Sequence, residues 1–230
     1  MAKKLYWDKK EDIKKIIYAL NQDQVLISST DTIYGFLANT TQKAWQKILD
    51  LKEVKTPRPF LILISAYNTL DKLSYFTDIS QFDKKTLKFI DVCWPGPITF
   101  ICNAKKELSH FLSATVVSDT FLGEISEKRT IALRCPMHVG LQEILSHFKG
   151  LFSTSANKSM ERSPAKFDQI SPDLLNQINY VVMDKQESSV IQASTLINLS
   201  EPDYTKPFPF QVIRPGEYSL EDLQELYHKI

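Results

Sequence analysis

Four polar clusters in this sequence can hold an anion or a polar small molecule, and each lies beside a run of strand-forming residues. The first is Ser29-Thr30-Asp31-Thr32-Ile33-Tyr34-Gly35. Its hydroxyls can bind a carboxylate, a phosphate or a polar amino acid, although the same residue types also make an ordinary Asx or Ser/Thr turn that ends a strand. The second runs from Lys52 through Lys55 to Arg58 and Pro59. Cations there can neutralise phosphates, while a lysine near a helix C-terminus also complements the dipole and reaches into solvent. The third, Ser153-Thr154-Ser155-Ala156-Asn157, offers hydroxyls and an amide for phosphate or adenine edges, or caps its own turn on the way to Ser163-Pro164. The fourth is a pair of arginines, Arg134 before Cys135-Pro136 and Arg214 before Pro215-Gly216. An arginine at a strand end before a proline turn is placed for bidentate binding of carboxylate or phosphate; otherwise it is a surface cation.

Other chemistries lack their residues. The histidines are His110, His138, His147 and His228, and none falls in an H-E-x-x-H or Cys/His metal spacing, so no protein metal site is expected. The sequence contains no G-x-S-x-G elbow, no G-x-x-x-x-G-K-[ST] loop and no G-x-G-x-x-G. A nucleotide, if bound, is held by side chains and polar loops. Cys93, Cys102 and Cys135 each lie in an apolar stretch and read as buried, reduced thiols. Lys plus Arg number 28 against 27 acidic residues, so any anion site is local and not a globally basic surface.

The elements that must position these clusters alternate helix and strand. Asp8 with Glu11 resembles a helix N-cap pair ahead of Ile13, Ile16, Ile17 and Leu20. Gln24 to Ser29 reads as a strand ending in the polar loop Thr30 to Gly35, after which Thr41 caps a helix carrying Trp45, Ile48, Leu49 and Leu51. Phe60 to Ile64 is a second strand; Leu70 to Phe76 and Phe82 to Val92 have helical spacing. Pro95-Gly96-Pro97 launches a strand at Ile98 to Cys102, and Ala104 to Glu127 is where an insertion or mobile loop fits best. Thr130 to Leu133 makes a strand, His138 to Phe148 a helix, and Leu151 to Thr154 a strand running into a polar turn. Tyr180 to Met183, Ser194 to Leu199 and Phe210 to Ile213 are late strands without helices between them, which implies some antiparallel pairing. Ser219 to Ile230 closes with a helix. The expectation is one α/β domain over 1–230, its core about 9–216, with a twisted mixed parallel/antiparallel sheet flanked by helices. No apolar run approaches the roughly 18 residues of a membrane span, so a cytoplasmic protein without a membrane partner is expected.

Taken in order, S-T-D-T-I-Y-G at 29–35, Leu51-Lys52, W-P-G-P-I-T-F at 94–100, I-A-L-R-C-P at 131–136 with His138, S-T-S-A-N at 153–157, Ser194-Thr195 and R-P-G at 214–216 resemble the YrdC/TsaC family. The resemblance spans roughly Val25 to Gly216. It implies an ATP-dependent nucleotidyltransferase that condenses L-threonine, bicarbonate and ATP into threonylcarbamoyl-AMP, with Mg²⁺ and release of pyrophosphate. The product goes to tRNA threonylcarbamoyladenosine through separate transfer proteins, and direct RNA contact is a further implication. By the same resemblance Thr32, Arg134 and Ser194 sit near the threonine, with Lys52 near the phosphates. Ser153, Ser155 and Asn157 line the ATP pocket, with Thr99 and Arg214 as further contacts. Lys52 and Arg134 carry the catalysis, and alanine at either is expected to abolish turnover with little loss of folding. The chain departs from the family pattern at Val54, where an arginine is usual, at Ser29 for proline, at Met160 for glycine, and at Asp184-Lys185-Gln186 for a glycine-rich stretch. These departures motivate an alternative, a catalytically altered YrdC-like nucleotide/RNA-binding protein. A related carbamoyl-adenylate chemistry, as in YrdC-like portions of larger maturation proteins, calls for additional domains.

Overall fold

Alternation of apolar side chains along short strands builds the centre of this molecule. In the computed structural model, which describes residues 2–54, 59–119, 125–185 and 192–230, the strands are β1 Lys3–Tyr6, β2 Leu26–Ser28, β3 Gly35–Asn39, β4 Leu61–Leu63, β5 Ile98–Asn103, β6 Ala114–Asp119, β7 Ile125–Arg134, β8 Leu151–Ser155, β9 Tyr180–Met183, β10 Thr195–Asn198 and β11 Gln211–Arg214. The helices are α1 Lys10–Asn21, α2 Gln42–Lys52, α3 Thr69–Phe76, α4 Lys84–Cys93, α5 Val139–Leu145, α6 Pro172–Gln177 and α7 Leu220–His228. All strands belong to one mixed sheet in the order β1-β9-β2-β3-β8-β4-β7-β5-β10-β11, with β6 paired to β7.

Successive strand residues point to opposite faces. Leu26, Leu37, Leu63 and Leu151 pack with Ile13, Ile16 and Leu20 of α1 and Leu141, Ile144 and Leu145 of α5. Their neighbours Ile27, Phe36, Ile62 and Phe152 face the other way, onto α2, α3, α4 and α7. Helices therefore cover both faces, as the α/β expectation requires. Burial of each such Phe contributes about 2 kcal/mol or more. The closing helix α7 is locked by Tyr227, whose ring lies 5.4 Å from Phe89, 5.7 Å from Phe208 and 5.6 Å from Phe210.

Several local expectations change. Helix α1 starts from Lys9 without a side-chain cap, because Asp8 turns instead to Lys185 at 2.5 Å. Thr41 caps α2 as its sequence indicates, accepting from the Ala44 N–H. The sheet begins at Lys3, ahead of the predicted core, with β1 parallel to β9. Strand β3 and helix α6 were not anticipated. The stretch read as an insertion or mobile loop carries β6 and the start of β7, which pair antiparallel from Ala114↔Thr130 to Asp119↔Ile125. The late antiparallel pair is β10 with β11, whereas β9 is parallel to both its neighbours. The three cysteines are buried and free. Burial pushes the thiols up to about 12 at Cys93 and Cys102 and about 11 at Cys135, so they are protonated, unreactive groups.

Candidate functional site

Strand register sets a row of polar side chains across the sheet. Arg134 on β7 pairs with Thr99 on β5, Thr99 with Leu196 on β10, and Leu196 with Arg214 on β11. Directly paired residues share a face, so two arginines far apart in sequence look into one space. On the far side of that space β3 and β8 run antiparallel, Gly35 opposite Ser155 and Leu37 opposite Ser153. Gly35 lets them approach: a Cβ there would lie 3.0 Å from the Thr154 carbonyl oxygen and 3.4 Å from Ser153 Oγ. The result is a cleft of about 410 Å³ lined by Thr30, Thr32, Thr99, Arg134, Ser153, Ser155, Ser163, Ser194 and Arg214, with Pro59, Phe60 and Leu61 among its apolar walls.

Arg134 is buried, and its fork is aimed by the loops around it. Nε donates to the Gly96 carbonyl at 3.3 Å, Nη1 to Thr32 Oγ1 at 3.0 Å and Nη2 to Asp31 Oδ1 at 2.5 Å. The other Asp31 oxygen accepts from the Met137 N–H at 2.8 Å. Gly96 belongs to the W-P-G-P loop, which has a cis Trp94-Pro95 bond and is tied to the next segment by the Gly96 N–H donating to the Cys135 carbonyl. Arg214 is less committed: Nη2 reaches the Ser194 carbonyl at 2.8 Å and Ser194 Oγ at 3.4 Å. Burial first, and the nearby Arg134 charge second, lower its pKa from the usual guanidinium value; an arginine stays protonated regardless. The Ser194 hydroxyl also meets Thr99 Oγ1 at 2.7 Å. The R-P-G turn crosses tightly here, since a Cβ on Gly216 would fall on the Ala193 carbonyl and the Thr195 nitrogen.

Lys52 and Asn157 stand behind the cleft wall. Lys52 is 2% exposed, and its Nζ donates to the Ser155 carbonyl at 2.7 Å, the Asn157 carbonyl at 2.8 Å and Asn157 Oδ1 at 3.3 Å. The solvent-reaching alternative for this lysine is thereby corrected: its ammonium clamps the S-T-S-A-N loop. The Asn157 amide nitrogen donates to the Glu161 carbonyl at 2.6 Å. With Lys52 and Arg134 both buried in hydrogen-bonded positions, alanine at either would disturb folding as well as function. Val54, in the position of the family arginine, is half-buried against the core, and its N–H returns to the Leu49 carbonyl at the end of α2. Lys55 and Arg58, the other cations of that cluster, lie outside the described residues.

A second network adjoins the S-T-D-T loop. Ser29 Oγ donates to Asp184 Oδ2 at 2.7 Å and accepts from Trp7 Nε1 at 3.0 Å. His138 Nδ1 caps α5 by accepting from the Leu141 N–H, which leaves Nε2 to face Asp184 at 3.1 Å. Burial raises the Asp184 pKa, but hydrogen bonds from His138 and Ser29 outweigh it and hold the carboxyl below its ordinary value. At the other end of β5 and β7 lies a hollow of about 460 Å³ bordered by Lys105, Lys128 and Arg129. Two of its cations are engaged: Arg129 with Ser113 and the Lys106 and Leu108 carbonyls, Lys128 with Glu201.

Seven of the nine residues singled out from sequence thus border one cleft: Thr32, Thr99, Arg134, Ser153, Ser155, Ser194 and Arg214. Sequence reasoning missed Asp31 as the partner of Arg134, although it lay within the quoted motif, because a pairing across 103 positions leaves no local signal. The Ser29–Asp184–His138 link was missed for the same reason.

A family model for Sua5/YciO/YrdC, described as "Telomere recombination", matches residues 18–216. A Methanocaldococcus jannaschii protein provisionally named threonylcarbamoyl-AMP synthase is 28% identical over 203 residues, covering 86% of this chain and 87% of its own. The crystal structure of P. abyssi Sua5 complexed with L-threonine superposes with a TM-score of 0.77 at 20% identity, covering 98% of this chain and 60% of that one. This chain therefore spans about three fifths of the Sua5 length. E. coli YciO gives a TM-score of 0.72 at 17% identity, with 97% of this chain and 100% of YciO covered. These two likenesses show the fold.

Proposed function

Because the chain belongs to the Sua5/YciO/YrdC family, we propose that it is a threonylcarbamoyl-AMP synthase, a nucleotidyltransferase using ATP, L-threonine and bicarbonate and releasing pyrophosphate. The observation that carries this is the convergence of Thr32, Thr99, Arg134, Ser153, Ser155, Ser194 and Arg214 on one cleft. The name of the Methanocaldococcus jannaschii relative and the L-threonine in P. abyssi Sua5 support it. The whole of 1–230 acts in this reading as one YrdC-like domain, with its product passed to tRNA-modifying transfer proteins.

The chemistry asks for placement and charge more than for a nucleophile. Bicarbonate and the threonine amine form a carbamate with loss of water, a carbamate oxygen bonds to the α-phosphorus, and the bond from that phosphorus to the pyrophosphate oxygen breaks. Thr32, Arg134 and Ser194 hold the amino-acid end; Ser153, Ser155, Thr99 and Arg214 hold the nucleotide. Lys52 acts with Asn157 by fixing the loop that presents Ser153 and Ser155. Among the described residues, no acidic side chain lines the cleft and no group of three or more His, Cys, Asp or Glu can hold a metal ion. Mg²⁺ fits as part of the nucleotide substrate, carried on its phosphates.

One observation favours a second reading, a catalytically altered nucleotide/RNA-binding protein. With Arg134 matched by Asp31 and valine at 54, Arg214 is the only cation lining the cleft without a carboxylate partner among the described residues. Pyrophosphate release from MgATP, measured with and without L-threonine and bicarbonate, separates the two. Release that needs both is expected of the synthase; ATP binding without turnover sinks that reading and favours the second.

A further inference from the structure

The Thr30 and Thr32 hydroxyls line the cleft from buried residues, 8% and 4% exposed, and their protons have fixed directions. The Ile33 carbonyl oxygen can only accept, so the Thr30 hydroxyl donates to it at 2.8 Å. The Thr32 backbone N–H can only donate, and it lies 3.1 Å from Thr30 Oγ1. A hydroxyl has one proton. The 3.0 Å contact between the two hydroxyl oxygens must therefore run from Thr32 to Thr30. On its other side Thr32 Oγ1 accepts from Arg134 Nη1 at 3.0 Å. Its proton is committed inward, and one lone pair is left for the occupant of the cleft.

We propose that Thr30 is a positioning residue that makes Thr32 an acceptor-only contact, so that this end of the cleft selects a substrate bearing an O–H or N–H donor beside a carboxylate. The inference rests on the synthase reading and specifies how its amino-acid subsite discriminates. A carboxylate or phosphate oxygen against Thr32 meets a lone pair with no proton between them. Such groups are directed instead to Arg134, which keeps two N–H donors beyond those given to Gly96, Thr32 and Asp31. L-threonine supplies two donors, its hydroxyl and its amino group. An analogue lacking the donor that Thr32 reads leaves a desolvated acceptor behind, the situation in which a polar site rejects a near-isostere most strongly.

The test compares wild type, Thr30→Val and Thr30→Ser by calorimetric titration with L-threonine, L-2-aminobutyrate, which lacks the hydroxyl, and 3-hydroxybutyrate, which lacks the amine. Thr30→Val keeps the shape but removes the acceptor, freeing the Thr32 proton to turn toward the cleft. It is expected to weaken L-threonine about tenfold and to leave the analogue that lacks the read donor within about twofold of wild type. The ratio that collapses identifies the donor, and Thr30→Ser restores it. Unchanged threonine-to-analogue ratios in Thr30→Val, or a Thr30→Ser variant behaving like Thr30→Val, overturn the inference. A wild-type protein that binds none of the three ligands overturns the synthase reading, and this inference with it.

Discussion

Replacing Lys52 by methionine keeps most of the side-chain volume and removes the ammonium that holds Ser155 and Asn157. Two backbone carbonyls and one amide oxygen then lose a charged donor. Each buried acceptor left unpaired costs about 1–3 kcal/mol. The sum is reduced because the Ser155 carbonyl still accepts from the Asn157 N–H, because the 3.3 Å contact is the weaker one and because the variant no longer buries a charge. A net loss of about 3 kcal/mol follows. In a chain of this size each kcal/mol moves Tm by about 2–4 °C, so the expected fall is about 6–12 °C by calorimetry. ATP affinity should weaken as well, since the loop carrying Ser153 and Ser155 loses its anchor. A variant that unfolds within about 2 °C of wild type while losing ATP binding would refute the clamp and return Lys52 to direct phosphate contact.

Met160 sits fully exposed at a positive φ of 73°, a conformation that costs a non-glycine residue about 1–2 kcal/mol. After the entropy glycine adds to the unfolded chain, Met160→Gly should stabilise by about 0.5–1 kcal/mol; a lower urea midpoint would contradict this. Asp184, its pKa depressed in the fold, contributes stability above its unfolded value of about 4 and loses it as pH falls through the lower folded value. The carboxyl is partly exposed, so screening keeps the effect below about 1 kcal/mol. Thermal unfolding should show Asp184→Asn less stable than wild type at neutral pH, with the gap closing as pH falls below about 4; a gap that stays constant as the pH is lowered argues against an ionic contribution.

Sequence pattern was most informative where local chemistry decides the structure. Thr41 announced its helix because a threonine oxygen facing the third following N–H is a local geometry. Asp8 does not cap its helix because its carboxylate pairs with Lys185 from a distant segment, a contact that leaves no local signal. Strand β3 escaped notice because four of its five residues, G-F-L-A-N, are buried on both faces, which erases the period-two signal. Strand β1 and helix α6 are too short, at four and six residues, for periodicity to emerge. In the site, the motifs identified which residues would converge but not how they are held. That Arg134 leans on Asp31, or that Lys52 clamps the S-T-S-A-N loop, depends on distances between segments more than 100 positions apart.

Strand β11 closes one edge of the sheet and, among the described residues, pairs along one side only, with β10. Its exposed residues offer little apolar burial to hold it. Edge strands of this kind open locally far more often than the sheet's centre. Since Arg214 is its last residue, a ligand gripping that guanidinium also holds the margin of the sheet. Occupancy of the cleft should therefore slow amide exchange along Gln211–Arg214, making the site a fastener for one margin of the sheet.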